Sequence, residues 1–577
     1  MIRKQEKFKK EKIILTASIG QCVHVAGTQN FIHIAEKLGF NCIFLGPAVS
    51  IPEVIKAIKN HNPEIIGLSY RLTPETVKPI IKSFFKEYDK LLSKKCKLFF
   101  AGTSRVVEIV EKYNRFDKCF VGGESHYEIL SILKNDDSST IDKGFSEIPS
   151  SLISRLEWKK PFPIIRAHFG LPSLDKTIDG IKKITNAKVL DVISIAPDQN
   201  TQENFFHSDE QDQDLSGAGG VPIRTINDFK KLNKARLGGN YPLLRIYAGT
   251  RDFIKLAKLY KKTINNAWAA IPIFWFNQMD KRGPLDLKES IRQHLEAIKW
   301  HGKHSIPVEI NDSHHWSLRN ASDVIAVADM YLSGIVAKEL GVTHFIAQYM
   351  FNTPPNTSFE MDLAKMLAKN ELLKTLENDS FQIIKQVRTG LASFPLSLNR
   401  AKGQLAASSL IQLLLKPDII HVVSFSEASH AALPEDVIES CEIVDQVIKQ
   451  MTSSKISFED QRIIERKEFL IQQAKWIINL IPKIAISSEE KQNPWINPNV
   501  LYRLVKYGIF DAPHLKNNNY AKGEIRTKIT DGACRSIDIN SNPITDIERI
   551  SEVLHDLDEF NDEILINLKN EQEVLSQ

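Results

Sequence analysis

Residues 323–349 read DVIAVADMYLSGIVAKELGVTHFIAQY, and this stretch has the form of one repeated unit of the chain. A helix-length segment ends at a glycine, and a short apolar run containing β-branched and aromatic residues follows it. Such a stretch predicts a helix that leads into a buried parallel strand. The alternation of run and helix recurs between residues 163 and 424, which favours a (β/α)8 barrel over two smaller α/β domains.

Each apolar run in this region predicts one barrel strand. Helix-like segments such as LKESIRQHLEAIKWHG, residues 287–302, separate the runs. Polar residues follow several of the runs, and barrel enzymes keep their chemistry in the loops after the strands. The runs are PIIRAHF (163–169), KVLDVISI (188–195), PLLRIY (242–247), AAIPIFWF (269–276), IPVEIN (306–311), THFIAQY (343–349), FQIIKQVR (381–388) and DIIHVVS (418–424).

A second alternating pattern precedes the barrel and predicts a doubly wound parallel sheet. Such sheets bind ligands at the carboxyl ends of their strands. The predicted strands are IILTAS (13–18), NCIFL (41–45), EIIGLS (64–69), KLFFA (97–101) and KCFVG (118–122). The predicted domains are a basic leader at 1–11, this sheet domain at 12–135, a polar linker at 136–160, the barrel at 161–485 and a C-terminal extension at 486–577.

Composition excludes several classes of protein. The 577 residues carry 75 Lys and Arg against 70 Asp and Glu, a balance that does not indicate nucleic-acid binding. The six cysteines include no Cys-x-x-Cys pair, which favours a reduced, cytoplasmic protein and speaks against a zinc ribbon. No apolar stretch approaches the ~20 residues of a membrane helix, so we expect no membrane partner.

The loop after the first strand holds a histidine where such a sheet binds its ligands. Residues 20–27 read GQCVHVAG, so His24 follows Cys22 by two positions and precedes Gly27 by three. An imidazole nitrogen binds transition metals or acts as an acid or base. A single loop histidine is more often an ordinary polar residue, and the residues around it decide between these readings.

The loop resembles the D-x-H-x-x-G motif of cobalamin-binding domains of the base-off/His-on type, with Cys22 in place of the Asp. The predicted strands at 64–69 and 97–101 and a VGGES segment at 121–125 also match the family in order and placement. The resemblance implies that His24 is the lower axial ligand of cobalt and that Cys22, a weak acceptor, takes the place of the group that orients it. It implies cofactor contacts for Cys22, His24, Gly27, Ser69, Gly102, Gly122 and Gly123.

The rest of the chain, from Phe162 to Ile547, resembles the catalytic subunit of glutamate mutase (methylaspartate mutase). In that family a Lys and a Glu after the last strand hold the ribose of the adenosyl group; here Glu427 keeps its place and Val423 replaces the Lys. The resemblance implies a flavodoxin-like cobalamin domain fused to a TIM barrel, adenosylcobalamin (coenzyme B12) as cofactor, and a homodimer. It rests on KPDIIHVVSFSEA (416–428), RTGLASFPLSLNRAKGQ (388–404) and the tail at 508–539.

The substrate residues of that family do not carry over. Glutamate mutases grip carboxylates with arginines, which pair with them in a bidentate manner. The family has three such arginine positions. His168 stands at the first and Asp312 at the third, and Arg224 lies near the second. We therefore expect a small acid or amino-acid-like substrate other than glutamate. The candidate substrate residues are His168, Arg224, Asp312, His315 and Tyr349; a salt bridge is the alternative for Arg224, and barrel packing for Tyr349.

Three functions remain open at this point. The first is an adenosylcobalamin-dependent radical isomerase, a carbon-skeleton mutase. The second is a corrinoid methyltransferase, which often needs zinc thiolates, whereas Cys441 stands alone in the barrel. The third is a non-catalytic cobalamin carrier or regulator, which the residues Cys22 and Val423 favour but which needs no barrel with a polar mouth.

Overall fold

The computed structural model describes residues 12–91, 96–134, 148–452 and 460–555. The chain divides into two compact units: Met1–Glu147 with Ile448–Ser454, and Ile148–Val447 with Lys455–Gln577. The predicted leader and residues 136–147 of the predicted linker lie outside the described residues, as does the end of the predicted extension.

The N-terminal unit contains a five-stranded parallel sheet in the order β2-β1-β3-β4-β5, which confirms the predicted doubly wound fold. The order reverses between β1 and β3, and at such a point the carboxyl ends of the strands leave a crevice for a ligand. The strands are β1 (Ile13–Ser18), β2 (Asn41–Phe44), β3 (Ile65–Tyr70), β4 (Lys97–Gly102) and β5 (Lys118–Phe120), and the helices are α1 (Ala26–Lys37), α2 (Ile51–His61), α3 (Pro74–Tyr88), α4 (Ser104–Glu111) and α5 (His126–Leu133).

The second unit contains the predicted eight parallel strands in one sheet, in the order β8-β7-β6-β13-β12-β11-β10-β9. The amide of Ala267, just before β9, donates to the carbonyl of Leu244 in β8 at 2.9 Å and joins the two ends into a barrel. The strands are β6 (Ile164–Phe169), β7 (Val192–Ile195), β8 (Leu243–Ile246), β9 (Ala269–Ala270), β10 (Val308–Glu309), β11 (His344–Phe351), β12 (Gln382–Thr389) and β13 (Ile419–Val422).

Strand β9 is much shorter than the apolar run at 269–276 that predicts it. The amides of Ile273 and Phe274 donate to the Asp312 carboxylate at 2.5 and 2.8 Å instead of to a neighbouring strand. The chain therefore leaves the sheet after Ala270, while the apolar side chains that follow remain buried.

Helices surround the barrel and continue into the C-terminal region. Helix α17 packs on α13 and α14. The helices are α6 (Leu152–Lys159), α7 (Leu174–Ala187), α8 (Gln199–Glu203), α9 (Ile226–Ala235), α10 (Phe253–Thr263), α11 (Leu287–Lys303), α12 (Asp312–Leu318), α13 (Asp323–Glu339), α14 (Phe359–Lys374), α15 (Leu398–Gln412), α16 (Pro434–Thr452), α17 (Gln461–Leu480), α18 (Ser488–Gln492), α19 (Pro498–Lys506) and α20 (Asp546–His555). A hairpin of β14 (Thr527–Thr530) and β15 (Ala533–Ser536) precedes α20.

The predicted linker extends too far, because helix α6 at its end is part of the barrel unit. Leu152 packs with residues that begin the barrel strands, among them Ile164 and Leu243. Lys159 forms a buried ion pair with Asp191 at 2.5 Å. A short helix that buries one face has a polar composition, and this explains why the segment resembles a linker.

The predicted C-terminal extension packs against the barrel helices through one buried carboxylate. Asp323, at the start of α13, accepts hydrogen bonds from Lys365 at 3.2 Å, from Arg466 at 3.1 Å and from the amide of Cys534 at 3.1 Å. These contacts join α13, α14, α17 and β15. Over the described ranges, no helix combines the length and the apolar character that a bilayer span requires.

Candidate functional site

A cavity of about 620 Å³ lies at the carboxyl ends of the barrel strands. Side chains on β6, β10, β11 and β12 line it, together with α12 and the loops after β8 and β9, which is where (β/α)8 enzymes hold their substrates. The lining residues are Arg166, Gln202, Tyr247, Phe276, Arg282, Glu309, Asn311, His314, His315, Leu318, Arg319, Gln348, Met350, Arg388 and Leu391.

The floor of the cavity is a buried group of two arginines and one glutamate. The Oε2 atom of Glu309 lies 3.4 Å from Arg166 and 3.3 Å from Arg245, and accepts a hydrogen bond from the Trp268 indole at 2.8 Å. Burial would raise the pKa of Glu309, but Arg245 and Arg166 outweigh it and lower the pKa. Burial, together with Arg245, lowers the pKa of Arg166 to about 9. The floor thus holds one carboxylate between two cations.

A directional chain of hydrogen bonds runs from this floor to His314. Arg166 donates to Gln386 Oε1 at 3.0 Å, Gln386 Nε2 donates to Gln348 Oε1 at 2.9 Å, and Gln348 Nε2 donates to His314 Nδ1 at 2.9 Å. Because a guanidinium only donates, its position sets the orientation of both amides. The same Gln348 Nε2 lies 3.4 Å from His314 Nε2, so the chain of hydrogen bonds ends on the His314 ring, which Gln348 holds in place.

Two arginines at the rim share one carboxylate. Asp280 Oδ2 lies 2.7 Å from Arg282 and 3.2 Å from Arg319. Arg282 stacks on Phe276 and Arg319 on Trp275, each with 3.9 Å between the guanidinium carbon and the ring centroid. With Arg166 and Arg388, four guanidinium groups line the cavity, and Arg245 lies buried beneath it, against the carboxylates of Glu309 and Asp280. A cation surplus of this kind favours an anionic ligand.

Four histidines around the cavity are held neutral. Burial, followed by neighbouring charged groups, lowers the pKa of His168, His314, His315 and His421 well below 6.5. Arg166 is the next cause for His168 and His421, and Arg388 is the next cause for His314. At neutral pH these rings add hydrogen-bonding groups to the site without adding charge.

This burial predicts a loss of stability in acid that His314→Asn should reduce. Below about pH 6.5 this ring takes up a proton in the unfolded chain but not in the folded chain, so the free energy of unfolding decreases as the pH is lowered. Between about pH 6.5 and 5, wild type should lose up to about 1.4 kcal/mol per pH unit more than the variant. Urea unfolding across this range measures the difference, and parallel curves would contradict it.

Of the predicted substrate residues, His315 lines the cavity, and His168 contacts two residues that line it, Arg166 and Tyr247. His168 Nε2 accepts a hydrogen bond from Arg166 at 2.7 Å, so its proton lies on Nδ1, and its ring stacks on Tyr247 at 5.4 Å. His315 lines the cavity, and its Nε2 atom is buried with no hydrogen-bond partner among the described residues.

Three other predicted substrate residues lie outside the cavity lining, contrary to our expectation. The Arg224 guanidinium pairs with Asp198 at 2.5 and 3.0 Å, so the salt-bridge alternative is the one observed. Asp312 is buried beneath the loop after β9, where burial raises its pKa to about 7. Tyr349 donates to Asn370 on α14 at 3.4 Å and packs toward the helices, because alternate residues of β11 face opposite sides.

Glu427 lies beyond β13 in a loop, with an exposed side chain. Reduced solvation raises the pKa of its carboxyl group, and Arg388 opposes that rise. Glu427, the predicted ribose contact, thus interacts electrostatically with Arg388, which lines the cavity. The position of the family's lysine is occupied by Val423, which is buried.

In the N-terminal unit, His24 is exposed at the carboxyl end of the sheet and its Nδ1 lies 3.7 Å from the sulfur of Cys22. Cys22 is buried and accepts a hydrogen bond from the Arg71 amide at 3.3 Å. Ser18 donates to the Cys22 carbonyl at 2.9 Å and fixes the loop. With Nδ1 directed at a weak acceptor, Nε2 is the nitrogen left for a ligand.

Small residues line up beside His24 on one face of this sheet. Ser18, Ser69 and Ala101 are in register on three adjacent strands, and Thr28 on α1 donates to Ser69 at 3.1 Å. Gly102 pairs with Tyr70 and faces the other side, where an added Cβ would meet the Tyr70 carbonyl at 2.8 Å. Ala101, and not the predicted Gly102, therefore shares a face with Ser69.

The other predicted glycines lie in open space around this edge. An added Cβ at Gly27, Gly122 or Gly123 would meet no atom within 4 Å, and Gly122 has a φ of +93°, which favours glycine. Exposed apolar side chains stand after three of the strands, at Val23, Leu72 and Val121. An apolar rim around a histidine suits a large, flat ligand.

The cavity depends on polar residues that lie inside the apolar runs, and the sequence patterns above do not predict a functional role for them. Arg166, Arg245, Glu309, Gln386 and Arg388 occupy interior-facing positions of strands in runs that otherwise predict a packed core. A charged or amide residue in the middle of a buried parallel strand is the signal that identifies them. In the described parts of the chain, no three His, Cys, Asp or Glu side chains converge as metal ligands would.

The fold and the cavity define a (β/α)8 barrel protein with a polar, cationic site at the carboxyl face of its strands, preceded by a doubly wound sheet unit. The family model described as methylaspartate mutase E chain (MutE) matches residues 153–556, well over half of the sequence. The chain belongs to this family. Curated proteins yielded no match.

Two solved structures are among those similar to this chain. One is a cobalamin-binding protein from Desulfitobacterium hafniense DCB-2, with 25% identity over 19% of this chain and 53% of that protein, and a TM-score of 0.17. The other is OxsB, a cobalamin-dependent S-adenosylmethionine radical enzyme, with 12% identity over 98% of this chain and 84% of that one, and a TM-score of 0.17. The chain therefore spans about half the length of the first protein.

Proposed function

We propose that this chain is an adenosylcobalamin-dependent carbon-skeleton mutase that acts on a small carboxylic acid. The observation that carries the proposal is the cavity of the barrel, where guanidinium groups outnumber carboxylates in a site of MutE-family architecture. A substrate carboxylate would restore the charge balance there. The surplus arginines replace the absent clamp residues at His168 and Asp312 as a source of anion binding.

The N-terminal residues fit a corrinoid. His24 is exposed, its Nδ1 faces the sulfur of Cys22, and the side chains of Ser18, Ser69 and Ala101 are small where a flat base would insert beside the sheet. The exposed apolar residues after β1, β3 and β5 suit the rim of the corrin ring. When bound, adenosylcobalamin supplies a carbon radical that removes a hydrogen atom from the substrate and later returns it.

The barrel residues position the substrate and exclude water. Arg166 and Arg245, neutralised in part by Glu309, form a rigid cationic floor. Gln348 holds the ring of His314 and Arg166 holds the ring of His168, so two neutral imidazoles are fixed in place around the site. Phe276, Leu318, Met350 and Leu391 supply apolar walls that keep reactive carbon radicals away from water.

Anaerobic spectroscopy tests the proposal. The full chain is mixed with adenosylcobalamin, and ultraviolet-visible and electron paramagnetic resonance spectra are recorded as small carboxylic acids are added. We expect a base-off spectrum and a Co(II)–radical signal that depends on one class of acid. Corrinoid binding without a radical signal for any acid would favour a carrier, and absence of binding would refute the proposal.

Glu427→Ala tests the ribose contact in the same assay. A hydrogen bond from a sugar hydroxyl to a carboxylate contributes about 1.5–3 kcal/mol, so affinity for adenosylcobalamin should fall roughly tenfold or more. Affinity for hydroxocobalamin, which has no ribose on that side of the corrin, should stay unchanged. An equal loss for both cobalamins would exclude the contact. Glu435→Ala, on the exposed start of α16, is the matched control.

A further inference from the structure

The four arginines that line the cavity, and Arg245 beneath it, differ in what their terminal nitrogens contact. Those of Arg166 bind Gln386, His168 and Glu309. Arg245 binds Glu309 with one nitrogen, and its remaining nitrogens are sealed beneath Tyr247 and Trp268 with no exposed surface. The two rim arginines share the carboxylate of Asp280: Arg282 Nη2 lies 2.7 Å from it as an ion pair without a hydrogen bond, and Arg319 also donates to the His315 carbonyl at 3.1 Å.

Arg388 is the exception. Its Nε atom donates to the Thr389 carbonyl at 3.4 Å, and neither terminal nitrogen has a hydrogen-bond or ion-pair partner among the described residues. The side chain is 8% exposed, lines the cavity and stands on β12, a strand held on both sides. A nearly buried cation that has no hydrogen-bonded anion is costly unless a ligand supplies the anion.

His315 provides a second unpartnered polar atom in the same cavity. Its Nε2 is buried without a partner, and the residue is 7% exposed. Arg388 lies close enough to lower the pKa of this ring, as it does for His314. A guanidinium without an anion and an imidazole nitrogen without a partner thus belong to residues that line the same cavity.

We infer that Arg388 is the specificity-determining anchor of the cavity, and that its two terminal nitrogens bind a substrate carboxylate in the space that His315 also lines. The planar fork of a guanidinium matches the two oxygens of a carboxylate. A phosphate dianion would need more than one unpaired cation, and the other arginines that line the cavity already have acceptors. The inference rests on the proposed function only in taking this cavity as the substrate site.

Calorimetric titration of the full chain without any corrinoid tests the inference. The probes are acetate, succinate and glutarate, with succinamide as the uncharged match of succinate and inorganic phosphate as the second anion, all at constant ionic strength. The proteins are wild type, Arg388→Gln, Arg388→Lys and Arg462→Gln. Arg462 is an exposed arginine on α17 and provides the matched control.

We expect wild type to bind at least one carboxylate and not succinamide. Arg388→Gln should bind that carboxylate at least tenfold more weakly, and the affinity of Arg388→Lys should lie between those two. The affinity of Arg462→Gln should match that of wild type. Without ligand, Arg388→Gln should melt no lower than wild type, because an unpaired buried charge has been removed. If Arg388→Gln melts lower than wild type, the carboxylate affinity of Arg388→Lys, which keeps the positive charge, is compared with wild type in its place.

Unchanged carboxylate affinity in Arg388→Gln would overturn the inference. So would binding of phosphate in preference to every carboxylate, or no binding of any probe to wild type. Because no corrinoid is present, each of these results is independent of whether the N-terminal unit binds cobalamin. A failure of the anchor is thus distinguishable from a failure of the proposed mutase.

Discussion

Glu309→Gln is expected to lower the free energy of unfolding of the barrel by about 3–5 kcal/mol. The carboxylate is buried between Arg166 and Arg245 and also accepts from Trp268. A neutral amide leaves two buried guanidinium groups without their anion, and the cost of an uncompensated buried charge far exceeds that of one lost hydrogen bond. Chemical denaturation of the full chain measures the change.

The second variant of this test removes one of the stranded charges. Glu309→Gln combined with Arg245→Met should recover part of the lost stability, because only one arginine then remains without an anion. Glu435→Gln, which breaks an exposed ion pair with Lys183, should leave the unfolding curve unchanged. A loss below about 1 kcal/mol for Glu309→Gln would show that the two arginines do not depend on this carboxylate.

His24→Ala is expected to weaken cobalamin binding by at least about tenfold and to abolish nitrogen ligation of cobalt from the protein. His24 is exposed, its loop is fixed by Ser18, and Nδ1 is directed at Cys22. Removal of the ring leaves no side chain in that loop with an imidazole nitrogen. Electron paramagnetic resonance of the Co(II) form reports the axial nitrogen, and equilibrium titration reports the affinity.

Cys22→Asp sharpens this test, because a carboxylate accepts the Nδ1–H bond more strongly than a sulfur and makes Nε2 a better ligand. We expect tighter binding with the same nitrogen signature. His61→Ala, at the exposed end of α2, is the control and should match wild type. Unchanged affinity and an unchanged spectrum in His24→Ala would rule out His24 as the ligand.

Local sequence patterns predicted the architecture well and the site incompletely. Each apolar run of the barrel contains one strand, since a buried parallel strand needs a continuous apolar segment and its helix a separate periodicity. Polar residues that follow an apolar run stand out in the sequence more than polar residues inside a run. For this reason the sequence patterns predicted Asp312, and not Glu309, as a substrate residue. Both are buried, but Asp312 binds backbone amides, whereas Glu309 binds the arginines of the floor.

By itself, the sequence determined the two α/β units, the order of their strands along the chain, the MutE-like barrel and the position of His24 in the loop after β1. These follow from spacing and periodicity, which are local properties. Only the tertiary structure decided which polar side chains meet. Arg166 and Gln386 are 220 positions apart, yet barrel closure brings them to 3.0 Å. Side chains alternate between the two faces of a strand, so Tyr349 points to the helices and Arg388 points to the cavity. Sequence alone does not fix which of the two alternating sets of side chains faces the barrel interior.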